Sequence, residues 1–438
     1  MIRSPDIERA AVLLLACASA VVAVTCSGNG SLHAEAPART AAGVTLPSAR
    51  PAAPSASVSS GPASPPGFQL PHLYAALRQL SSGAAQAPVR ILWLGDSHSY
   101  PDFWTNAVRR PLQKRFGNGG PGFVLLGMDP YRHAGVKVAR QGHWRHDPPN
   151  PATALHHSDG VFGLGGIRMV PVSRDARASV ELEPGAVAGR AHWTLYYRLP
   201  DPGAHFTVAV TGSSPVRVDA DTGTPRPAGS PLRQLALDSP PTGKLELSAP
   251  SGKPQLFGVT IESASPGVVV DTLGINGARA ATTLAWEKAA WEAEVKEQKP
   301  ALVVLAYGTN EVAHPLAIAK NRQYFDRLLA RVHAAQPQAD CLLAGPTDWD
   351  DNSGRTRPRV LRMDQLERQI ASAHGCAYFS VYDAMGGQGS HRRWEHASPQ
   401  LGAVDHIHLM PAGYRRVGKA MVKELLGGYA ASAGGGQP

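Results

Sequence analysis

The chain has 438 residues, 43% of them hydrophobic, with 45 Gly, 38 Pro and a formal net charge of +9. That length and composition fit a soluble globular protein with room for two sizeable cores and many turns. The positive charge fits a mildly basic surface or an anionic partner. The Lys and Arg residues are scattered, with no basic run and no nucleic-acid-binding motif, which excludes nucleic acid as the partner.

Residues 1–26 read as a targeting segment. Arg3 and Arg9 precede an apolar stretch from Ala10 to Thr25, which has signal-peptide length and meets Cys26. Cys17 follows Leu14-Leu15-Ala16 and is the better local match to a bacterial lipobox, but its apolar run is short. Cys26 has the better run and a poor neighbour in Thr25. The expectation is an exported protein lipidated at Cys17 or Cys26; an uncleaved signal anchor is the alternative. An apolar stretch of this length is marginal for crossing a bilayer, and no other segment is a candidate to span one. Residues 27–66 are rich in Ala, Pro, Ser and Gly without periodicity, the composition of a disordered tether.

Regular patterning starts near Leu70. Leu73, Leu77 and Leu80 have helical spacing after Pro71, and Val89 to Leu94 is a buried strand ending at Gly95. A helix is expected over Phe103 to Phe116, stopped by Gly117-Asn118-Gly119-Gly120-Pro121-Gly122. Alternating apolar residues then appear at Trp193, Leu195 and Tyr197, at Phe206, Val208 and Val210, at Leu245 and Leu247, and at Val259 and Ile261. Broken by Pro/Gly turns, this reads as an antiparallel sandwich or jelly roll over 131–266. Helix–strand alternation then returns. Leu284, Trp291 and Val295 share a helical face, Ala301 to Ala306 is a strand, and Phe325, Leu328 and Val332 mark a helix. Cys341 to Gly345 is a strand, Met363, Leu366 and Ile370 mark a helix, Cys376 to Val381 is a strand, and Tyr414 to Leu426 is the last helix. Such alternation implies a parallel sheet with helices on both faces. The α/β domain is therefore split into 67–130 and 267–428, with 429–438 as a flexible tail. Cys341 and Cys376 each open a short run; on neighbouring parallel strands their sulfurs would lie at one end of the sheet. In an exported protein that allows a disulfide, with two buried thiols as the alternative. Their spacing does not suit a zinc site, and no metal or cofactor is expected.

Four short segments carry chemistry. Ser97, in Gly95-Asp96-Ser97-His98, follows a strand end where backbone N–H groups and the positive end of the next helix converge, which suits a nucleophile. Gly277, in Gly274-Ile275-Asn276-Gly277, lets the backbone approach a ligand and present its N–H. Asn310, in Gly308-Thr309-Asn310-Glu311, offers an uncharged amide donor. Asp405 and His408 are three apart, so the carboxylate can meet one imidazole nitrogen while the other faces Ser97. His406 points the other way and is the poorer base. His98 and Arg279 adjoin these positions as candidate substrate contacts. Each segment alone is weak; all four in this order, each at a strand edge, make a serine-hydrolase site.

These segments resemble blocks I, II, III and V of the SGNH (GDSL-type) hydrolase superfamily, over roughly 70–130 and 267–428. The resemblance implies a three-layer α/β/α, flavodoxin-like fold, a Ser97–His408–Asp405 triad and an oxyanion hole from Ser97, Gly277 and Asn310, without a cofactor. His98, Phe116 to Phe123, Gly274 to Arg279 and Ala384-Met385-Gly386-Gly387 further resemble the bacterial periplasmic peptidoglycan O-acetylesterase branch. That branch carries an inserted β-sandwich similar to a carbohydrate-binding module. It implies an esterase acting on an acetylated glycan, peptidoglycan first, at the cell envelope. An O-acetyltransferase using the same residues and an inactive glycan-binding wall protein are the rival readings. Two positions depart from the pattern. Glu311 stands where Asp is usual, and Met410 where a Ser or Thr would cap the last helix, a loss of about 1 kcal/mol that would loosen the His408 loop.

Overall fold

The computed structural model describes residues 68–152, 157–225, 229–314 and 316–434. The expected targeting segment with Cys17 and Cys26, and the expected tether over 27–66, lie outside the described residues. No helix among the described residues is long and apolar enough to cross a membrane.

A parallel sheet organises one part of the described chain. Its strands run side by side in the order Val268–Gly274, Val89–Gly95, Leu302–Ala306, Asp340–Ala344 and Ala377–Phe379. Each is an apolar run because both faces are covered. Alternate residues divide between two cores. Ile91, Trp93, Val268, Val270, Leu302 and Val304 pack with Leu73, Leu77, Val108, Leu112, Val417 and Met421 of the helices Pro71–Ser82, Phe103–Phe116 and Pro411–Gly434. Leu92, Leu94, Val303, Leu305 and Leu343 pack with Trp291, Val295, Phe325, Leu328, Met363 and Ile370 of the helices Lys288–Gln298, Ile318–Ala335 and Pro358–Ala373. The chain thus has helices on both faces of a parallel sheet.

Between the first two of these strands in sequence, the chain forms two antiparallel sheets. One contains Trp144–Asp147, Arg168–Pro171, Ala191–Arg198, Arg233–Ser239 and Gln255–Ser263; the other contains Val136–Gln141, Arg177–Leu182, His205–Val210, Val216–Val218 and Lys244–Ser251. Period-two burial is plain: Ala178, Val180 and Leu182, Trp193, Leu195 and Tyr197, and Phe206, Val208 and Val210 are all buried. Tyr197 and Phe206 meet edge to face at 5.5 Å, joining the two sheets in one core.

The strand Gly122–Val124, upstream of residue 131, pairs with Gln255–Ser263 in the antiparallel sheet. The glycine-rich turn before it makes this possible. Gly120 has φ +106°, and a Cβ there would lie 2.6 Å from the Ile261 carbonyl oxygen. A buried ion pair within the parallel sheet also holds the antiparallel one, since Arg90 pairs with Glu262 as well as with Asp271. Arg90 Nη1 donates to both Asp271 oxygens at 2.6 and 2.7 Å, and Asp271 also accepts from Phe123 N at 2.8 Å.

Three expectations differ from the structure. Leu284 does not share a helix with Trp291: Ala280–Thr283 and Lys288–Gln298 are separate, the second capped by the Glu287 carboxylate at 2.6 Å from Ala290 N. The last helix does not stop at Leu426, and 429–434 is not a flexible tail, because the helix runs Pro411–Gly434. Gly427-Gly428 looks like a terminator in sequence, but a Cβ on Gly428 would lie 2.1 Å from the Phe68 carbonyl oxygen, so glycine there serves close packing. Tyr429 then packs against Phe116 and Tyr74. Only 435–438 of the expected tail lie outside the described residues.

Cys341 and Cys376 are joined by a disulfide, one step before the paired residues Leu342 and Ala377. The bond closes a separation of 35 residues. Replacing both cysteines by serine should lower unfolding free energy by about 2–4 kcal/mol. Urea denaturation measures it, and an unchanged midpoint would show that the bond does not stabilise this edge of the sheet.

Candidate active site

Three strand ends form the floor of the site. Gly95 pairs in register with Gly274 on one side and Ala306 on the other, so the segments after them leave the sheet at one level. A ligand crevice is expected at such carboxyl ends, where connections diverge to either side of a central strand. The Gly274 position tolerates no side chain, since a Cβ would lie 2.3 Å from Tyr100 N.

Hydrogen bonds link all four segments. Ile275 N donates to Gly95 O at 3.0 Å. Asn310 Nδ2 donates to Asp96 Oδ2 at 3.2 Å and to Ala278 O at 3.0 Å. The Glu311 carboxylate accepts from Gly308 N at 2.9 Å and from Ala280 N at 2.8 Å, so the longer acid braces its own loop and the neighbouring one. Ser97 Oγ lies 2.8 Å from His408 Nε2, and His408 Nδ1 lies 2.6 Å from Asp405 Oδ2. The other Asp405 oxygen accepts from Ile407 N and His408 N at 3.0 and 2.9 Å. This is a connected hydroxyl–imidazole–carboxylate chain.

Ser97 is not at a helix N-terminus. The helix begins at Phe103, and a turn intervenes in which Ser99 N and Tyr100 N donate to Asp96 O at 3.0 and 3.1 Å. Asp96 Oδ1 accepts from His98 N at 2.9 Å and closes that turn. Gly277 has φ +79°, a left-handed conformation that favours glycine, and it is exposed. Its neighbour from the antiparallel region is Ala152, whose Cβ lies 3.2 Å from where a Gly277 Cβ would sit and whose carbonyl accepts from Thr282 Oγ1 at 3.0 Å.

His98 is not available to a substrate. It is 3% exposed, its Nδ1 is 3.0 Å from the Tyr414 hydroxyl, and Thr347 Oγ1 is 3.5 Å from its Nε2. Burial, reinforced by the nearby His408, holds its pKa well below the usual histidine range, so it is a neutral packing ring. Arg279 is half-buried beside block II, with Glu311 and His314 in its field. Met410 brings no capping oxygen to the last helix. The His408 loop is held instead by Ala403 N donating to His408 O at 2.8 Å, by His391 Nε2 at 3.0 Å from the same oxygen, and by a bridge between Gly402 and Leu409.

The carboxyl groups divide by environment. Burial pushes Asp405 up, but the hydrogen bond and charge of His408 outweigh it and hold the group well below the usual carboxylate range. Asp96 is pushed up to about 7 by burial, with Glu311 adding repulsion. Glu311 and Glu367 are also raised by burial, Glu367 well above the ordinary range and with repulsion from Glu311 adding to it. The acid next to the imidazole is kept charged, while the buried acids Asp96, Glu311 and Glu367 are driven toward neutrality. One further group among the described residues, Asp350, His391, Glu395 and His406, brings its donor atoms within 4.8 Å of one another. His391 and Glu395 are four apart on the short helix Ser390–Glu395, a spacing that was legible but that the sequence reading passed over.

Residues 243–416 match the GDSL-like lipase/acylhydrolase family, a stretch that holds blocks II, III and V and lies downstream of Ser97. No curated protein matches the chain. Among solved structures, a peptidoglycan O-acetylesterase is 23% identical, with a TM-score of 0.69, covering 82% of this chain and 96% of its own. A family two carbohydrate esterase from Cellvibrio japonicus is 9% identical, with a TM-score of 0.28, covering 67% of this chain and 99% of its own. A lipase/acylhydrolase from Enterococcus faecalis is 21% identical, with a TM-score of 0.29, covering 37% of this chain and 77% of its own. The first shares this fold; the scores of the other two carry no argument. The match to the GDSL-like lipase/acylhydrolase family over 243–416 thus takes in strands of the parallel sheet and blocks II, III and V at its edge.

Proposed function

We propose that this chain is a serine esterase that removes O-acetyl groups from a cell-envelope glycan, peptidoglycan first, through an acetyl-serine intermediate. The observation that carries the reading is the connected chain from Ser97 Oγ through His408 to Asp405. His408 Nε2 takes the Ser97 proton as Oγ attacks the acetyl carbonyl, and Asp405 stabilises the imidazolium that forms. The backbone N–H groups of Ser97 and Gly277 and the Asn310 amide receive the oxyanion. Asn310 shifts one donor from Asp96 to do so, a move eased when Asp96 is protonated. His408 then gives its proton to the sugar oxygen as the ester C–O bond breaks, releasing the sugar hydroxyl, and activates the water that releases acetate.

In this reading residues 67–130 and 267–428 are the two parts of the hydrolase domain, and 131–266 is an inserted sandwich, similar to a carbohydrate-binding module, that holds the polymer. Two observations support it. The likeness to the peptidoglycan O-acetylesterase spans 82% of the chain and so extends into the antiparallel sheets. The loop at Ala152 also reaches Gly277 and Thr282, bringing the insert to the rim of the site. Arg279, half-buried at the same rim, is assigned to the glycan. The targeting segment supports an exported protein, lipid-anchored through Cys17 or Cys26 and tethered by 27–66.

Acetate release from O-acetylated peptidoglycan, compared with acetylated xylan, tests the reading. The expected result is preference for peptidoglycan and a fall of at least about 10^3-fold for Ser97→Ala. Equal rates for wild type and variant would overturn the assignment of Ser97. Transfer of acetyl to an added acceptor glycan in place of free acetate would make the protein a transferase. Asn310→Ala should lower kcat by about 10^2- to 10^3-fold. Steady-state kinetics checks this, and an unchanged kcat would remove Asn310 from the oxyanion hole.

A further inference from the structure

Behind the loop that carries Asp405 and His408, four side chains turn donor atoms toward one point. Asp350 Oδ2, His391 Nδ1, Glu395 Oε2 and His406 Nδ1 lie within 4.8 Å of one another. All four atoms are buried, and none has a hydrogen-bond partner. Asp350 and His391 are themselves 0% exposed. Leaving one such group unsatisfied costs about 1–3 kcal/mol, so four meeting in one place call for an occupant.

Each donor is aimed by its surroundings. The other Asp350 oxygen accepts from Asn352 N at 2.7 Å, which turns Oδ2 inward. His391 Nε2 sits 3.0 Å from the carbonyl oxygen of His408. A carbonyl only accepts, so Nε2 carries the hydrogen and the Nδ1 lone pair of the neutral ring faces the cluster. Metal-binding histidines are oriented in this way by a backbone carbonyl on the second nitrogen. His406 adopts φ +64°, uncommon outside glycine, at the turn between Asp405 and His408.

The spacing suits a small cation. His406 Nδ1 is 3.2 Å from Asp350 Oδ2 and 3.3 Å from Glu395 Oε2. A tetrahedral zinc with bonds of about 2.1 Å separates its ligands by ~3.4 Å. Arg392 flanks the cluster at 3.6 Å from each carboxylate, beyond hydrogen-bond range, and its Nη2 donates to Asn352 O at 2.9 Å. A protonated His406 between the two acids would meet their charge but leave the His391 lone pair without a partner.

We propose that Asp350, His391, Glu395 and His406 hold one divalent transition-metal ion, with zinc the best fit to two imidazoles and two carboxylates. The ion is a structural clamp. His391 would join it to the His408 carbonyl, and His406 would join it to the loop between the acid and the base of the triad. The site does not depend on what the hydrolase acts on, so its test is separate from any esterase assay.

The full chain, stripped with a chelator, incubated with zinc chloride and dialysed into metal-free buffer, is assayed for metal by elemental mass spectrometry and for its melting temperature. Wild type should retain about one zinc per chain and melt higher with zinc than without. Asp350→Asn and Glu395→Gln, which keep side-chain shape, should each retain less than about a tenth as much and lose the shift. Glu395 is partly exposed, so its variant keeps the comparison open should Asp350→Asn fold poorly. Wild type free of zinc with an unmoved melting temperature, or variants that retain zinc as wild type does, would overturn the proposal.

Discussion

Parallel, in-register pairing of the strand Val89–Gly95 with both its neighbours is the constraint on which the rest depends. Gly95 stands level with Gly274 and Ala306, so three loops that are far apart in the chain leave the sheet side by side. A slip of one residue would turn each strand's side chains to the opposite core and separate the loops. The two cores that take alternate residues of these strands therefore set the geometry of the site as well as the stability of the sheet. The loop with Asp405 and His408 arrives separately, held by the fold of the chain between Leu401 and Met410.

Electrostatics refines what the sheet assembles. Asp405 is partly solvated and paired with an imidazole, and it stays ionised. Asp96, Glu311 and Glu367 are buried, and their mutual repulsion adds to the loss of hydration. A full set of negative charges behind Asn310 would oppose an oxyanion. In the proposed mechanism raised pKa values lessen that opposition and act together with the donors assigned to the oxyanion.

Much of this was legible in the sequence, for a physical reason in each case. The four blocks are contiguous, and buried strands appear as short apolar runs, so the placing of each block at a strand edge could be anticipated from residues such as Val89 to Leu94 and Ala301 to Ala306. The role of His98 was not legible, because its partner Tyr414 lies 316 residues away and supplies the burial that removes the ring from substrate. The extent of the last helix was hidden because Gly428 looks like a stop and is instead a contact point with Phe68. The cluster around His406 was missed because Asp350 comes from an irregular loop, and a local pattern of His391 and Glu395 has no meaning until that loop folds over it.

The central claim is that His408 and Asp405 make Ser97 a nucleophile. Reaction of the intact protein with a fluorophosphonate, followed by peptide mass spectrometry, tests it most directly. One adduct per chain on Ser97, abolished by His408→Ala, is the predicted result. An adduct on a different serine, or undiminished labelling of Ser97 without the imidazole, would contradict it.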